Sequence, residues 1–186
     1  MLDFPRYKDQ SAFMVSKYLN GEYGTLKEIG PELASMFYAI DRFDAKKETE
    51  RLIASCDIVI ANRYVSSNMI HQATKMDSYE AIDTFLTWVY HLEYEVFGIP
   101  KPTCVIYLKI SAATSHKLIA LKAEREYIKG AINKDLHEND EGHIAWAIGL
   151  AEYVSSKYTN WVTVNCEENG EMLPREIITK MIASHV

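Results

Sequence analysis

Three apolar runs constrain this chain most: "CDIVIAN" (Cys56–Asn62), "TCVIYLKI" (Thr103–Ile110) and "NWVTVNC" (Asn160–Cys166). Each is rich in Val and Ile and nearly continuous in apolarity, as strands buried on both faces of a parallel sheet are. A fourth run, "MLDF", opens the chain. Parallel strands need crossover connections, and the intervening sequence supplies helical patterns. "SAFMVSKYLNG" reads as a helix with Ser11 as its N-cap and an end at Gly21. "GPELASMFYAIDRFDAKKETERLIAS" opens with Pro31 in a first turn. "SYEAIDTFLTWVYHLEYEVFG" runs to Gly98, followed by Pro100 and Pro102 as stop signals. "HIAWAIGLAEYVSSKY" and "LPREIITKMIASH" complete the set. Strands alternating with helices predict an α/β fold, a parallel sheet flanked by helices.

In such sheets ligands bind beyond the carboxyl ends of the strands. The first strand is followed by Pro5, Arg6 and Tyr7, and the second ends in Asn62, Arg63 and Tyr64, then "VSSN". Two strand ends thus deliver an arginine beside a tyrosine to the same rim, which suits an anion such as a phosphate. For either arginine taken alone, a solvated surface position serves equally. Between them, Tyr38 and Arg42 lie four residues apart on one helical face, where an aromatic ring and a guanidinium could stack a base and bond its edge. The alternative is that Phe37 and Tyr38 are core aromatics and Arg42 pairs with Asp41 or Asp44 at the surface.

A chain of 186 residues with 48% apolar and 25% charged residues has the material for one globular domain. Its net charge of −6 argues against a duplex nucleic-acid partner. No run approaches the ~18 apolar residues of a membrane span, and no signal-peptide core is visible, so a cytoplasmic location is expected. Cys56, Cys104 and Cys166 show no C-x-x-C spacing, and the last two sit in strand-like runs, as buried free thiols would. "DLHENDEGH" holds His137 and His143, but not at the H-E-x-x-H spacing of a zinc helix, and it reads as a solvated helix start. No metal site is expected there. His71 is expected to line a pocket rather than act as a base. Phe85, Trp88, Tyr90, Tyr94 and Phe97 read as core or as an interface between copies of the chain.

Five segments, in this order, resemble the thymidylate kinase family of nucleoside monophosphate kinases: "DFPRY", "FYAIDR", "NRYVSSNMIHQ", "KPTCVIYLKI" and "LKAEREYIKGAINKDLHE". The resemblance covers nearly the whole chain and implies a P-loop kinase-like fold in one domain, residues 1–186, with a lid at about 122–142. It implies phosphoryl transfer from ATP to dTMP, with Mg²⁺, in a homodimer formed through helices. Arg6 and Arg63 would hold the acceptor phosphate. Tyr38 would stack on the thymine and Arg42 would donate to its edge. Ser67, Asn68 and Gln72 would line the pocket, and Arg125 in the lid would close over the transferring group. Positive charge around three phosphoryl oxygens is what this chemistry needs.

The sequence departs from the family pattern in three places. Asn62 stands where the family carries Asp before the arginine. Arg125 is the one arginine between Thr103 and Pro174, so Lys122 or Lys129 would have to supplement it as point charges. The pattern G-x-x-x-x-G-K-[ST] does not occur, leaving the ATP-phosphate contacts unassigned. The expectation is that the chain starts inside the family's second strand, about 25–30 residues after its usual beginning. The absent first strand would be central to the sheet, contributing four or five apolar side chains at roughly 1.5–3 kcal/mol each. A catalytically inactive nucleotide-binding or interaction protein, and a kinase for another monophosphate, are the competing expectations.

Overall fold

The structure, a computed structural model, describes residues 1–25, 28–128 and 141–186, with the side chains of 120, 122–128 and 141–143 left out. It divides into two compact units, Met1–Pro102 and Thr103–Val186. The chain is helix-rich and two of its three strand pairs among the described residues are parallel, as the sequence pattern predicts; the third is antiparallel. Among the described residues the strands form three two-stranded sheets.

In the first unit, β1 (Leu2–Asp3) runs parallel to β2 (Ala61–Asn62), with Leu2 opposite Ala61 and Asp3 opposite Asn62. The pairing extends by a bond from the Leu2 amide to the Ile60 carbonyl. Leu2, Phe4 and Ala45 form a buried cluster that Val59, Ala61, Leu52 and Tyr64 pack against. The sheet is therefore anchored on one face. The expectation of burial on both faces fails for the second run: Ile58 and Ile60 are 58% and 55% exposed. Alternation explains it, since Val59 and Ala61 point to the cluster and Ile58 and Ile60 point away.

Among the described residues this unit also holds five α-helices. A short 3₁₀ turn, Gln10–Ala12, leads into α1 (Phe13–Leu19). Ser11 lies inside that turn and does not cap α1, because its hydroxyl is taken by Asp41. The long pattern after Gly30 is two helices, α2 (Pro31–Asp44) and α3 (Lys46–Ser55), meeting at Ala45. Ala45 is fully buried at that junction, beneath Phe4. Val15, Tyr18, Ala34 and Phe37 form the α1–α2 core. Helix α4 (Val65–His71) follows β2 directly. Helix α5 (Tyr79–Tyr90) is capped by Ser78, whose Oγ accepts from the Ala81 amide, and continues as a π-helical segment, His91–Val96. Gly98, at φ +60°, turns the chain out of it; a Cβ there would lie 2.9 Å from Lys46 Nζ.

The second unit pairs β3 (Val105–Lys109) in parallel with β4 (Trp161–Asn165), in the register Val105 opposite Trp161. Helices α6 (Ala112–Ile128) and α7 (Glu141–Lys157) lie between them in sequence, and α8 (Arg175–Ala183) follows. Leu108, within β3, is 48% exposed and no β3 residue is fully buried, so the expectation of burial on both faces fails for this strand too. A hairpin of β5 (Glu167–Glu168) and β6 (Glu171–Met172) turns at Asn169 and Gly170, both at positive φ. The Asn-Gly pair is the sequence signal for that turn. Cys166 is buried, Cys104 half-buried and Cys56 exposed, and all three are free. Among the described residues, no helix is long and apolar enough to cross a membrane.

Candidate functional site

Every candidate residue with a described side chain lies in the first unit. Arg63 directly follows β2, is exposed, and has a left-handed backbone at φ 59°. A non-glycine residue held there is uncommon and marks a backbone that its surroundings over-determine. The flanking order is supplied by Tyr64, whose ring packs against Phe4 at 5.8 Å and whose hydroxyl donates to the Pro100 carbonyl at 3.0 Å. Burial pushes the Tyr64 phenol pKa up, which keeps it a donor. Among the described residues Arg63 has no hydrogen-bond or ion-pair partner.

Helix α4 starts one residue after Tyr64 and turns Asn68 and Gln72 inward; both are 3% exposed. Ser67 is half-buried beside them and His71 faces solvent. Asn68 Nδ2 donates to the Ser35 carbonyl on α2 at 3.1 Å. Among the described residues two buried side-chain atoms find no partner: Ser35 Oγ and Gln72 Oε1. Buried polar atoms left unbonded in a packed interior are costly and few, so each of the two keeps an unused capacity for a polar contact.

Helix α2 supplies Tyr38 and Arg42. Phe37 is in the core against Tyr18 and Tyr23, whereas Tyr38 is half-buried and meets Tyr18 edge-on. Arg42 does not pair with Asp41 or Asp44 at the surface. It is buried and forks onto Glu93, Nε to Oε2 and Nη2 to Oε1, each at 2.6 Å. Sequence reading missed Glu93, although its signal is present. It continues the buried stripe Ile82, Phe85, Leu86 and Val89 of α5, and a carboxylate on an apolar stripe needs a cation.

Asp41 and Asp44 instead hold Arg6. The buried Asp41 carboxylate accepts from the Arg6 amide at 2.8 Å and from Nε at 3.1 Å, and Asp44 accepts from Nη2 at 2.6 Å. Ser11 Oγ accepts from the same Nη2 at 2.9 Å, and Asp9 pairs with Nη1 at 3.1 Å. Burial works to lower the Arg6 pKa, but the bonds and charges of Asp44 and Asp41 outweigh it and raise it. Arg6 is thus placed at the end of β1 as the sequence implied, with its fork occupied by carboxylates. Arg125, Lys122, Lys129, His137 and His143 lie outside the described side chains, as does most of the lid region. Of the aromatic cluster, Phe85 and Tyr94 are buried. Among the described residues no group of three His, Cys, Asp or Glu side chains is placed to hold a metal.

Two local arrangements carry predictions. Asn62 Nδ2 donates to Asp3 Oδ1 across the β1–β2 pair at 2.7 Å. Asn62→Asp would set two carboxylates face to face on exposed positions, so a loss of about 0.5–1 kcal/mol is expected at low salt, fading as added salt screens the pair. Urea midpoints at low and high ionic strength measure it. Lys75 donates to the Tyr18 hydroxyl and the Ile29 carbonyl, and burial pushes its pKa down to about 8, with Glu32 opposing. The folded form therefore releases this proton before the unfolded chain does, and its cost to stability, full below pH 8, is relieved as pH rises toward the ordinary lysine value. Urea midpoints of wild type and Lys75→Met between pH 7 and pH 10 should diverge accordingly, with the rise missing in the variant.

The thymidylate kinase family model matches residues 1–177. The chain belongs to the thymidylate kinase family. It is 32% identical over 126 residues to thymidylate kinases of two Mycobacterium tuberculosis strains, CDC 1551 / Oshkosh and H37Rv, an alignment covering 67% of this chain. The same alignment covers 58% of those relatives' length. A solved thymidylate kinase from Candida albicans, described as having broad substrate specificity, shares the fold with a TM-score of 0.66. That match covers 98% of this chain and 77% of the other at 13% identity.

Proposed function

We propose that this chain binds dTMP as the acceptor of phosphoryl transfer from ATP, the reaction that gives dTDP. The observation carrying the proposal is Arg63, a cation without a protein partner among the described residues, beyond the carboxyl end of a parallel strand. In this reading Arg63 takes the acceptor phosphate through its planar fork. Arg6 takes a second place on the phosphate by exchanging Asp44, its 60% exposed partner, for a phosphate oxygen. The Tyr38 ring stacks on the base and Arg42 meets the base edge, with Ser67, Asn68 and Gln72 around base and sugar. Arg125 would act on the transferring group from the lid. A homodimer through helices, a cytoplasmic location, and no membrane or duplex nucleic-acid partner complete the reading.

ATP and Mg²⁺ are the family's second substrate and metal. The described residues present neither a G-x-x-x-x-G-K-[ST] loop nor a carboxylate cluster to fit them, so no step is derived through either. What these residues support is the acceptor half: an exposed cation beyond a strand end, buried polar side chains at α4 and an aromatic ring on α2. Calorimetric titration with dTMP and an ATP-dependent assay for dTDP test the two halves separately. No dTMP binding would overturn the proposal, and equal affinity for dTMP and dGMP would count against a thymine pocket. Binding without turnover would favour a second reading, an inactive nucleotide-binding protein, to which Arg6 held by acids and Asn62 in the family's Asp position lend support.

A further inference from the structure

We propose that Glu93 is the positioning residue that fixes the Arg42 guanidinium for recognition of the base. The inference rests on the reading above, in which Arg42 meets the base edge, and assigns the group that makes Arg42 specific. Of the five guanidinium N–H groups, the fork onto Glu93 uses two. Three remain, two on Nη1 and one on Nη2, and among the described residues none has a protein acceptor. One edge of the cation is thus locked while the other keeps its donors. Asn68 Nδ2, 3.4 Å from Glu93 Oε1, ties the same carboxylate toward α4, the helix that Gln72 follows as C-cap.

The backbone around Glu93 is built for this placement. The π-helical segment His91–Val96 closes with the Phe97 amide donating to the Leu92 carbonyl at 2.9 Å, an i→i+5 bond. That wider turn keeps Glu93 and Tyr94 together on the buried side, 0% and 8% exposed. Such segments are rare and recur at functional sites. Stability alone does not call for the pair, since well-packed apolar residues commonly replace buried ion pairs without loss. A planar fork held in one orientation is what discrimination between base edges needs. Thymine offers acceptor, donor, acceptor along its edge, and cytosine reverses the first two. The remaining Arg42 donors suit an edge that leads with an acceptor, as thymine's does and cytosine's does not.

The test compares dTMP, dCMP and 2-deoxyribose 5-phosphate binding to the wild type and Glu93→Gln by calorimetry. In the wild type dTMP should bind more tightly than dCMP. In Glu93→Gln that ratio should fall about tenfold or more, with sugar-phosphate affinity unchanged. Uniform weakening of all three ligands, or an unchanged ratio, would overturn the inference while leaving the dTMP reading intact. If wild type binds none of the three, the reading falls and the inference with it. Should the variant not fold, the unaltered chain decides by NMR. The Arg42 Nε–H signal should stay protected from solvent exchange with and without saturating dTMP. Its release on dTMP binding would mean that Glu93 competes with the ligand rather than positioning its receptor, and would overturn the inference.

Discussion

Arg42→Met should cost the first unit about 3–5 kcal/mol, because it strands the Glu93 carboxylate in an apolar interior. Glu93 is 0% exposed, and its remaining neighbour is the Asn68 amide at 3.4 Å. That contact is too long to replace two charge-assisted bonds of 2.6 Å. Against a domain stability of about 5–15 kcal/mol the loss is large enough to bring the urea midpoint close to zero. Arg42→Met combined with Glu93→Leu should recover most of it, to within about 1 kcal/mol of wild type, since both charges leave together and the volume is nearly kept. Equilibrium urea unfolding of the two single variants and the double variant gives the coupling between the positions directly. Additive losses would show that the pair is not the buried unit the geometry describes. The double variant also separates folding from recognition: it should fold and fail to prefer dTMP.

That pair shows where sequence reading stops. The order of strands and helices was legible because Val- and Ile-rich runs and 3.6-residue periodicities are local, as is the Asn-Gly signal of the β5–β6 turn. The arginines at both strand ends, the aromatic–arginine spacing on α2 and the α4 side chains were legible as candidates. Their partners were not. Asp41 and Asp44 are near Arg42 in sequence, yet the helix turns Asp41 toward β1, where Arg6 arrives, and turns Arg42 into the core. Glu93 is fifty-one residues from Arg42, and no local rule joins them. Ser11 followed the capping rule in sequence but is drawn away by Asp41, a contact thirty residues distant. Burial on both faces failed for a related reason. An apolar run tells that a strand is apolar, whereas Ile58 and Ile60 show that one face lacks cover.

Arg63→Gly should leave stability within about 1 kcal/mol of wild type while weakening dTMP roughly 10–150-fold, and the contrast between the two is the point of the experiment. Arg63 holds φ 59°, a conformation costing a non-glycine residue about 1–3 kcal/mol. Glycine removes that strain but adds chain entropy to the unfolded state, of about 0.5–1 kcal/mol, so with the strain near the lower end of its range the terms largely cancel. The side chain is exposed and has no protein partner among the described residues, so its removal breaks no internal bond. The lost charge-assisted fork to a phosphate, at about 1.5–3 kcal/mol, sets the affinity change. Arg63→Lys should retain part of the affinity, because a point charge attracts the phosphate without the planar two-donor match. Calorimetry on dTMP and thymidine separates the sources: thymidine, which lacks the phosphate, should bind all three proteins alike. If thymidine binding falls with dTMP binding in Arg63→Gly, the arginine supports the pocket rather than the phosphate, and its assignment at the end of β2 is wrong.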